Sequence, residues 1–256
     1  MPTQLRHLFD DGQPYPVVRL VGVLDAGTAP RVRSALLAGL AHEPEALIVD
    51  VAELAVADPA AVAVLGDIAR ETADWPAAHL VVCAPGGDGP WQASGLPVWP
   101  GHAEAVAALG RPTTGQRLSL ALDPVVGAAR RARELITEAC LRWDRPELTG
   151  PASIVVTELV NNVVSHARTA MIVRVALRGD TMTVAVQDHH PGTPRFSGRV
   201  PATSYGGRGL LLIDSVSRRW GDLRLDDGKV VWAILDGEEE PLRPPQPATA
   251  ATGEGT

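Results

Sequence analysis

The stretch Gly110-Arg111-Pro112-Thr113-Thr114-Gly115 divides the chain. It combines helix breakers with small polar residues and has no apolar period, so no strand or helix is expected to run through it. Each side must then fold around its own core. At about 100–200 residues per domain, two modest domains fit a chain of 256 residues. The expected organisation is one domain over 1–110, a linker at 111–117, a second domain over 118–236, and a disordered tail at 237–256. That tail runs Glu238-Glu239-Glu240 and then into Pro, Ala, Thr and Gly, which bury little.

The first domain alternates strand and helix signals. Val17 to Leu24 is β-branched and apolar, and predicts a strand. Asp25 or Thr28 suits a helix N-cap, and Pro30 suits the first turn. Val32, Leu36, Leu37 and Leu40 give that helix an apolar side. Ala46 to Val51 predicts a strand buried on both faces. Asp58-Pro59 opens a second helix through Val62, Leu65 and Ile68. His79 to Cys83 is a third strand, and Ala103 to Leu109 a last short helix. The order β-α-β-α-β-α predicts an α/β layer.

In the second domain Gln116 to Leu122 reads as a strand. Asp123-Pro124 is expected to cap a helix to about Trp143, with Val126, Ala129 and Leu135 inward. A second helix spans about Pro151 to His166. Strands follow over Ala170–Leu177, Thr181–Asp188 and Val230–Leu235, with a helix from about Gly209 to Arg218 between the last two.

Hydrophobic residues make up 45% of the chain, enough for sizeable cores. A net charge of -7 does not suit a grip on nucleic-acid phosphates, so no direct nucleic-acid partner is expected. Cys83 and Cys140 fall in different domains, with neither metal-ligand nor disulfide-framework spacing, and read as buried small hydrophobes. No basic stretch followed by an apolar run opens the chain, and no run of about 18 apolar residues occurs. The expectation is a cytoplasmic chain without a membrane segment.

Three clusters in the second domain carry chemistry. Glu158, Asn162 and His166 recur at i, i+4, i+8 among apolar neighbours, so they line one side of a helix. A carboxylate and an amide on a largely buried helix need polar partners, which Mg²⁺ with phosphate oxygens supplies; an ordinary solvated stripe is the bland alternative. Next, the strand through Val184 and Val186 ends in Asp188, ahead of His189-His190-Pro191-Gly192. A carboxylate there can accept a hydrogen bond from an exocyclic amine, and Gly192 lets a ligand approach the backbone. Asp188 also reads as a plain turn former. Finally, Tyr205-Gly206-Gly207-Arg208-Gly209-Leu210 opens directly into an apolar helix, where free N–H groups and a cation suit an anion; a flexible hinge is the alternative.

In this order the clusters resemble the GHKL ATPases, and within them the anti-sigma factor serine kinases of bacteria. The likeness covers about Leu118 to Leu235 and extends to Asp123-Pro124, Ala129-Arg130, Trp143, His166-Ala167 and Gly228-Lys229-x-x-Trp232. It implies a Bergerat-type α/β two-layer sandwich that binds ATP and Mg²⁺. Asn162 would then be the metal ligand and Glu158 the catalytic general base. Asp188 would hold the adenine amine. Gly192, Gly207, Arg208, Gly209, Leu210 and His166 would form the rest of the nucleotide-binding set, under a lid at Pro194–Gly206. One departure stands out: His190 holds the place of the family's Gly in Asp-x-Gly.

The first domain, about Leu5 to Leu109, resembles a STAS domain, the fold of anti-sigma factor antagonists. The likeness rests on Leu20-x-Gly22-x-Leu24-Asp25, Leu47-Ile48-Val49-Asp50-Val51, and Asp58-Pro59-Ala60-Ala61-Val62-x-Val64-Leu65. Antagonists of this kind place a phosphorylatable Ser or Thr just after the Asp of that last segment. Pro59, Ala60 and Ala61 have no hydroxyl, which implies docking or autoinhibition rather than a working switch.

Together these resemblances imply a regulator in a partner-switching network. It would act as a serine/threonine protein kinase on a separate STAS antagonist and bind or release a sigma factor. The alternative is a non-catalytic module in which nucleotide only gates docking. A histidine kinase half fits less well, since no dimerising helix pair with an exposed His precedes it. A bare scaffold is a further reading, and a zinc site at His166, His189 and His190 lacks ligand spacing. A homodimer is compatible with the family, although no residue here specifies one. The first domain is expected to pack near the lid.

Overall fold

The computed structural model describes residues 5–11, 14–73, 75, 79–112, 116–190 and 208–237. The first domain runs β1 (Arg6–Asp10), β2 (Val17–Leu24), α1 (Ala29–Leu40), β3 (Ala46–Val56), α2 (Ala63–Glu71), β4 (His79–Cys83), β5 (Val98–Trp99) and α3 (His102–Leu109). The sheet order is β1-β2-β3-β4-β5, with β1 antiparallel to β2 and the other pairs parallel. The helices α1 and α2 lie on one face, and α3 covers Ile48, Val81 and Cys83 on the other. Both faces of β4 and of the first half of β3, residues 46–49, are thereby covered, so those stretches are nearly all apolar. Asp25 makes the turn before α1 by accepting from Gly27 N and Thr28 N at 2.9 Å each. Thr28 sits at the cap position without a side-chain cap bond. Asp58 accepts from Ala60 N at 2.9 Å and starts a 3-10 turn over Pro59–Val62 ahead of α2.

The second domain runs β6 (Arg117–Leu122), α4 (Ala128–Trp143), α5 (Thr149–Asn162), β7 (Met171–Arg178), β8 (Thr181–Asp188), α6 (Arg208–Val216), β9 (Arg219–Leu225) and β10 (Gly228–Asp236). Its sheet is antiparallel throughout, in the order β6-β7-β8-β10-β9. The helix α4 starts later than expected. Gly127 takes a φ of 99° and becomes the cap, which leaves Val126 in the preceding turn. Val126 is therefore fully exposed rather than inward, while Leu135 is buried as expected. Neither β1 nor β9 is signalled by apolar alternation. Both are edge strands with charged or exposed positions, where apolar alternation is weakest.

The central strands β8 and β10 of the second sheet are buried on both sides. Val184, Val186, Val231, Ala233 and Leu235 face α4, α5 and α6. The alternate residues Ala185, Val230, Trp232 and Ile234, with Leu223 of β9, join the core of the first domain instead. The first domain thus sits on the rear of the sheet, with α1 against β9. Residues 194–206, near which it was expected to pack, lie outside the described residues. Trp75, 4% exposed, meets Trp232 edge-on at 5.9 Å and donates from Nε1 to Leu40 O at 3.1 Å. Gly221 pairs with Trp232 across the ladder, and a Cβ there would stand 2.7 Å from its ring. Only glycine lets the indole lie across β9.

The basic half of the same rear face grips the turn after α1. Arg178 donates from Nη2 to Glu43 O at 3.1 Å and to Pro44 O at 3.0 Å. Glu43 is 2% exposed and has a φ of 54°. Burial raises its carboxyl above the usual range, against the pull of Arg174, Arg178 and Arg117. Both cysteines are free and buried, and burial pushes the Cys83 thiol up to about 11. Replacing Trp75→Ala is expected to cost about 3–5 kcal/mol of unfolding free energy, because a large buried ring is lost from between two domains. Urea denaturation of the full chain measures this, and a loss below about 1 kcal/mol would contradict the interface.

Candidate nucleotide site

The helix α5 buries Ala152, Val155, Val156, Leu159 and Val160, a helical stripe that packs on the front of the sheet and on α4. The stripe beside it carries Glu158 and Asn162, one turn apart and both half-buried. Among the described residues neither side chain has a hydrogen-bond partner, so a carboxylate and a carboxamide are left open side by side.

His166 does not extend this stripe. A π turn over Val163–Ala167 follows α5, closed by Arg168 N donating to Val163 O at 2.7 Å with Arg168 at a φ of 55°. The wider turn breaks the four-residue spacing, and His166 is exposed.

Asp188 ends β8 on the front face, continuing the alternation of Met182, Val184 and Val186. It is 2% exposed and well anchored. Its Oδ1 accepts from His190 N at 2.9 Å, which closes a turn. Lys229, directly opposite on β10, places Nζ at 2.8 Å from Oδ2 and 3.0 Å from Oδ1. This partnership escaped the sequence reading, although a single cation in an otherwise apolar strand was its visible signal. Gly228 makes the approach feasible, since a Cβ there would lie 2.0 Å from Asp188 O. His189, which follows Asp188, donates its amide N–H to Thr169 Oγ1 at 3.1 Å, and its Nδ1 is 3.5 Å from Asp227.

Arg208, Gly209 and Leu210 form the first turn of α6, which packs through Ile213 into the same core as α5. Gly192, Gly207 and the expected lid at 194–206 lie outside the described residues. A cavity of about 780 Å³ lies elsewhere, at the domain junction. It is lined by Trp75, Trp99, Leu109, Arg178 and Ile234 and holds none of these site residues.

The arrangement is a sheet with two open polar side chains on a front helix and an anchored carboxylate at a strand end. The histidine kinase-like ATPase domain family matches residues 122–235, which span all of these residues. The STAS domain family matches residues 10–88. The chain is a STAS domain joined to a histidine kinase-like ATPase domain.

Among solved structures, an anti-sigma factor antagonist from Mycobacterium paratuberculosis is 23% identical, with a TM-score of 0.36. That likeness covers 43% of this chain and 97% of the other. The RsbU and RsbW domains of a Mycobacterium tuberculosis protein are 18% identical, with a TM-score of 0.37 over 49% of this chain and 33% of that one. A histidine kinase domain from Erythrobacter litoralis is 16% identical, with a TM-score of 0.30 over 42% of this chain and 60% of that one. No curated protein matches the chain.

The chemistry of these residues suits a nucleotide. Asp188 keeps a lone pair for an exocyclic amine, and Asn162 offers an amide oxygen of the hard type that Mg²⁺ takes beside phosphate oxygens. The Gly228→Ala substitution is expected to destabilise the full chain by about 1–3 kcal/mol or more, because the added methyl meets backbone. A thermal midpoint equal to that of the unaltered protein would contradict the close approach of β10 to Asp188.

Proposed function

We propose that this chain is an ATP-binding regulator of the partner-switching type, acting as a serine/threonine protein kinase on a STAS-domain antagonist. The observation that carries the reading is the pairing of open Glu158 and Asn162 on α5 with Asp188 anchored on the same face of the sheet. Asp188 would accept the adenine amine, and Asn162 would hold Mg²⁺. Arg208, Gly209 and Leu210 at the start of α6, with Gly207 and Gly192, would surround the phosphates. His166, exposed within the π turn, would at most touch them from outside. ATP, when bound, supplies the phosphoryl group that is transferred. Glu158 would orient the attacking hydroxyl and take its proton, a role for which an open carboxylate on a fixed helix is suited.

The geometry bears on the acceptor. The first domain sits behind the sheet, and Glu158 stands on the helix layer in front of it. The turn at Asp58 has only Pro59, Ala60 and Ala61 where a hydroxyl would be needed. A phosphate acceptor would therefore come from another molecule, a separate antagonist, and a sigma factor would be the regulated partner. No helix of the described residues is long and apolar enough to cross a membrane, in keeping with a cytoplasmic role. The second reading is a docking module gated by nucleotide without transfer, in which the first domain, lacking a hydroxyl at Pro59–Ala61, serves for docking.

Calorimetric titration of the full chain with ATP tests the reading. Binding is expected with Mg²⁺ and is expected to weaken about tenfold or more in Asn162→Ala, as one metal ligand is lost. The Glu158→Gln variant should bind as well as the unaltered chain but lose phosphate transfer by about 100-fold or more. Absence of binding by the unaltered chain would overturn the reading. Binding without transfer to any STAS antagonist would leave the gated module.

A further inference from the structure

The chain contains 23 basic residues, of which Lys229 is the one lysine and the other 22 are arginine. In a chain that so consistently uses arginine, the exception stands at a buried place. The side chain of Lys229 is 12% exposed and that of its partner Asp188 is 3% exposed. They face one another in register on β10 and β8, on the sheet face that carries α5.

The chemistry of the two cations differs here. A guanidinium is a broad planar fork that tends to use two N–H groups on one carboxylate, whereas an ammonium is a compact charge with three tetrahedral donors. Lys229 spends two of those donors on Asp188, at 2.8 and 3.0 Å. One remains. The carboxylate has about four acceptor positions. His190 N and Lys229 take positions on Oδ1, and Lys229 takes one on Oδ2. One position on Oδ2 remains. Among the described residues, a free donor and a free acceptor thus stand within 3 Å of each other, fixed by a strand ladder on both sides.

The geometry points to Lys229 as a base-contacting residue of the nucleotide site, forming with Asp188 a joined donor–acceptor edge that reads positions 1 and 6 of a purine. This inference rests on the ATP-binding reading above. Adenine presents a 6-amino donor beside the N1 acceptor. The amine meets Oδ2 of Asp188, and N1 meets the spare N–H of Lys229. A carboxylate alone would read only the amine, and the ammonium adds the second contact. The pairing also keeps Asp188 aimed, because Lys229 holds both of its oxygens from across the ladder.

The test is a comparison of ATP with 1-deaza-ATP, in which N1 is replaced by C–H, on the full chain with Mg²⁺ and on Lys229→Met. A hydrogen bond from a charged donor predicts 1-deaza-ATP to bind about tenfold or more weakly than ATP to the unaltered chain. The gap should shrink to about twofold or less in Lys229→Met, because the donor that N1 met is gone. Equal affinities for the two nucleotides in the unaltered chain overturn the assignment of Lys229 while leaving the nucleotide site standing. A gap that persists undiminished in the variant overturns it as well, since some other donor then serves N1. No binding of ATP at all overturns the underlying reading. Where the methionine variant fails to fold, equality in the unaltered chain remains a sufficient disproof.

Discussion

The central strands β8 and β10 of the second sheet are buried on both faces, and the rest of the molecule follows from that. Antiparallel sheets commonly leave one face to water, with polar residues alternating along the strands. Here β10 instead carries Val230, Trp232 and Ile234 toward the rear and Val231, Ala233 and Leu235 toward the front. Neither set can remain in water without a large loss of hydrophobic free energy. The front is covered by the domain's own helices. The rear is covered by the STAS domain, which supplies α1, Trp75 and the turn at Glu43. The two domains therefore share one core, and the linker between them joins bodies that already pack together.

This arrangement separates two tasks. The rear of the sheet is committed to the STAS domain, through Trp75 against Trp232 and Arg178 against the Glu43–Pro44 carbonyls. The front keeps Glu158, Asn162 and Asp188 free of that contact. Trp232 and Lys229 belong to the same strand and face opposite ways, so β10 borders both surfaces.

Much of this was legible in the sequence, and the reasons for the rest are physical. Val17–Leu24 and His79–Cys83 were legible to the residue, because a strand in a covered sheet is an unbroken apolar run between turn formers. The helix bearing Glu158 and Asn162 was legible from its period. The edges were not. The strand Arg219–Leu225 alternates charges with apolar residues too sparsely to stand out from a helix end. Val126 was misplaced because Gly127, with its positive φ, delays α4 until Ala128. His166 was misplaced because a π turn leaves no trace in a four-residue spacing. The position of the STAS domain was hidden for a different cause: the rear apolar residues of β10 read as part of a single buried strand, and a linear pattern does not say which body buries which face.

Hydrogen exchange of the full chain, followed by mass spectrometry with and without Mg-ATP, tests the central claim most directly. The account predicts slowed exchange on adding nucleotide in peptides covering Glu158–Ala167 and Asp188–His190, on the front. It also predicts slow exchange in the turn at Ala41–Glu45 in both states, because that turn stays gripped behind the sheet. Nucleotide-dependent protection confined to the rear turn, or none at the front, would contradict a front site with the STAS domain seated behind it.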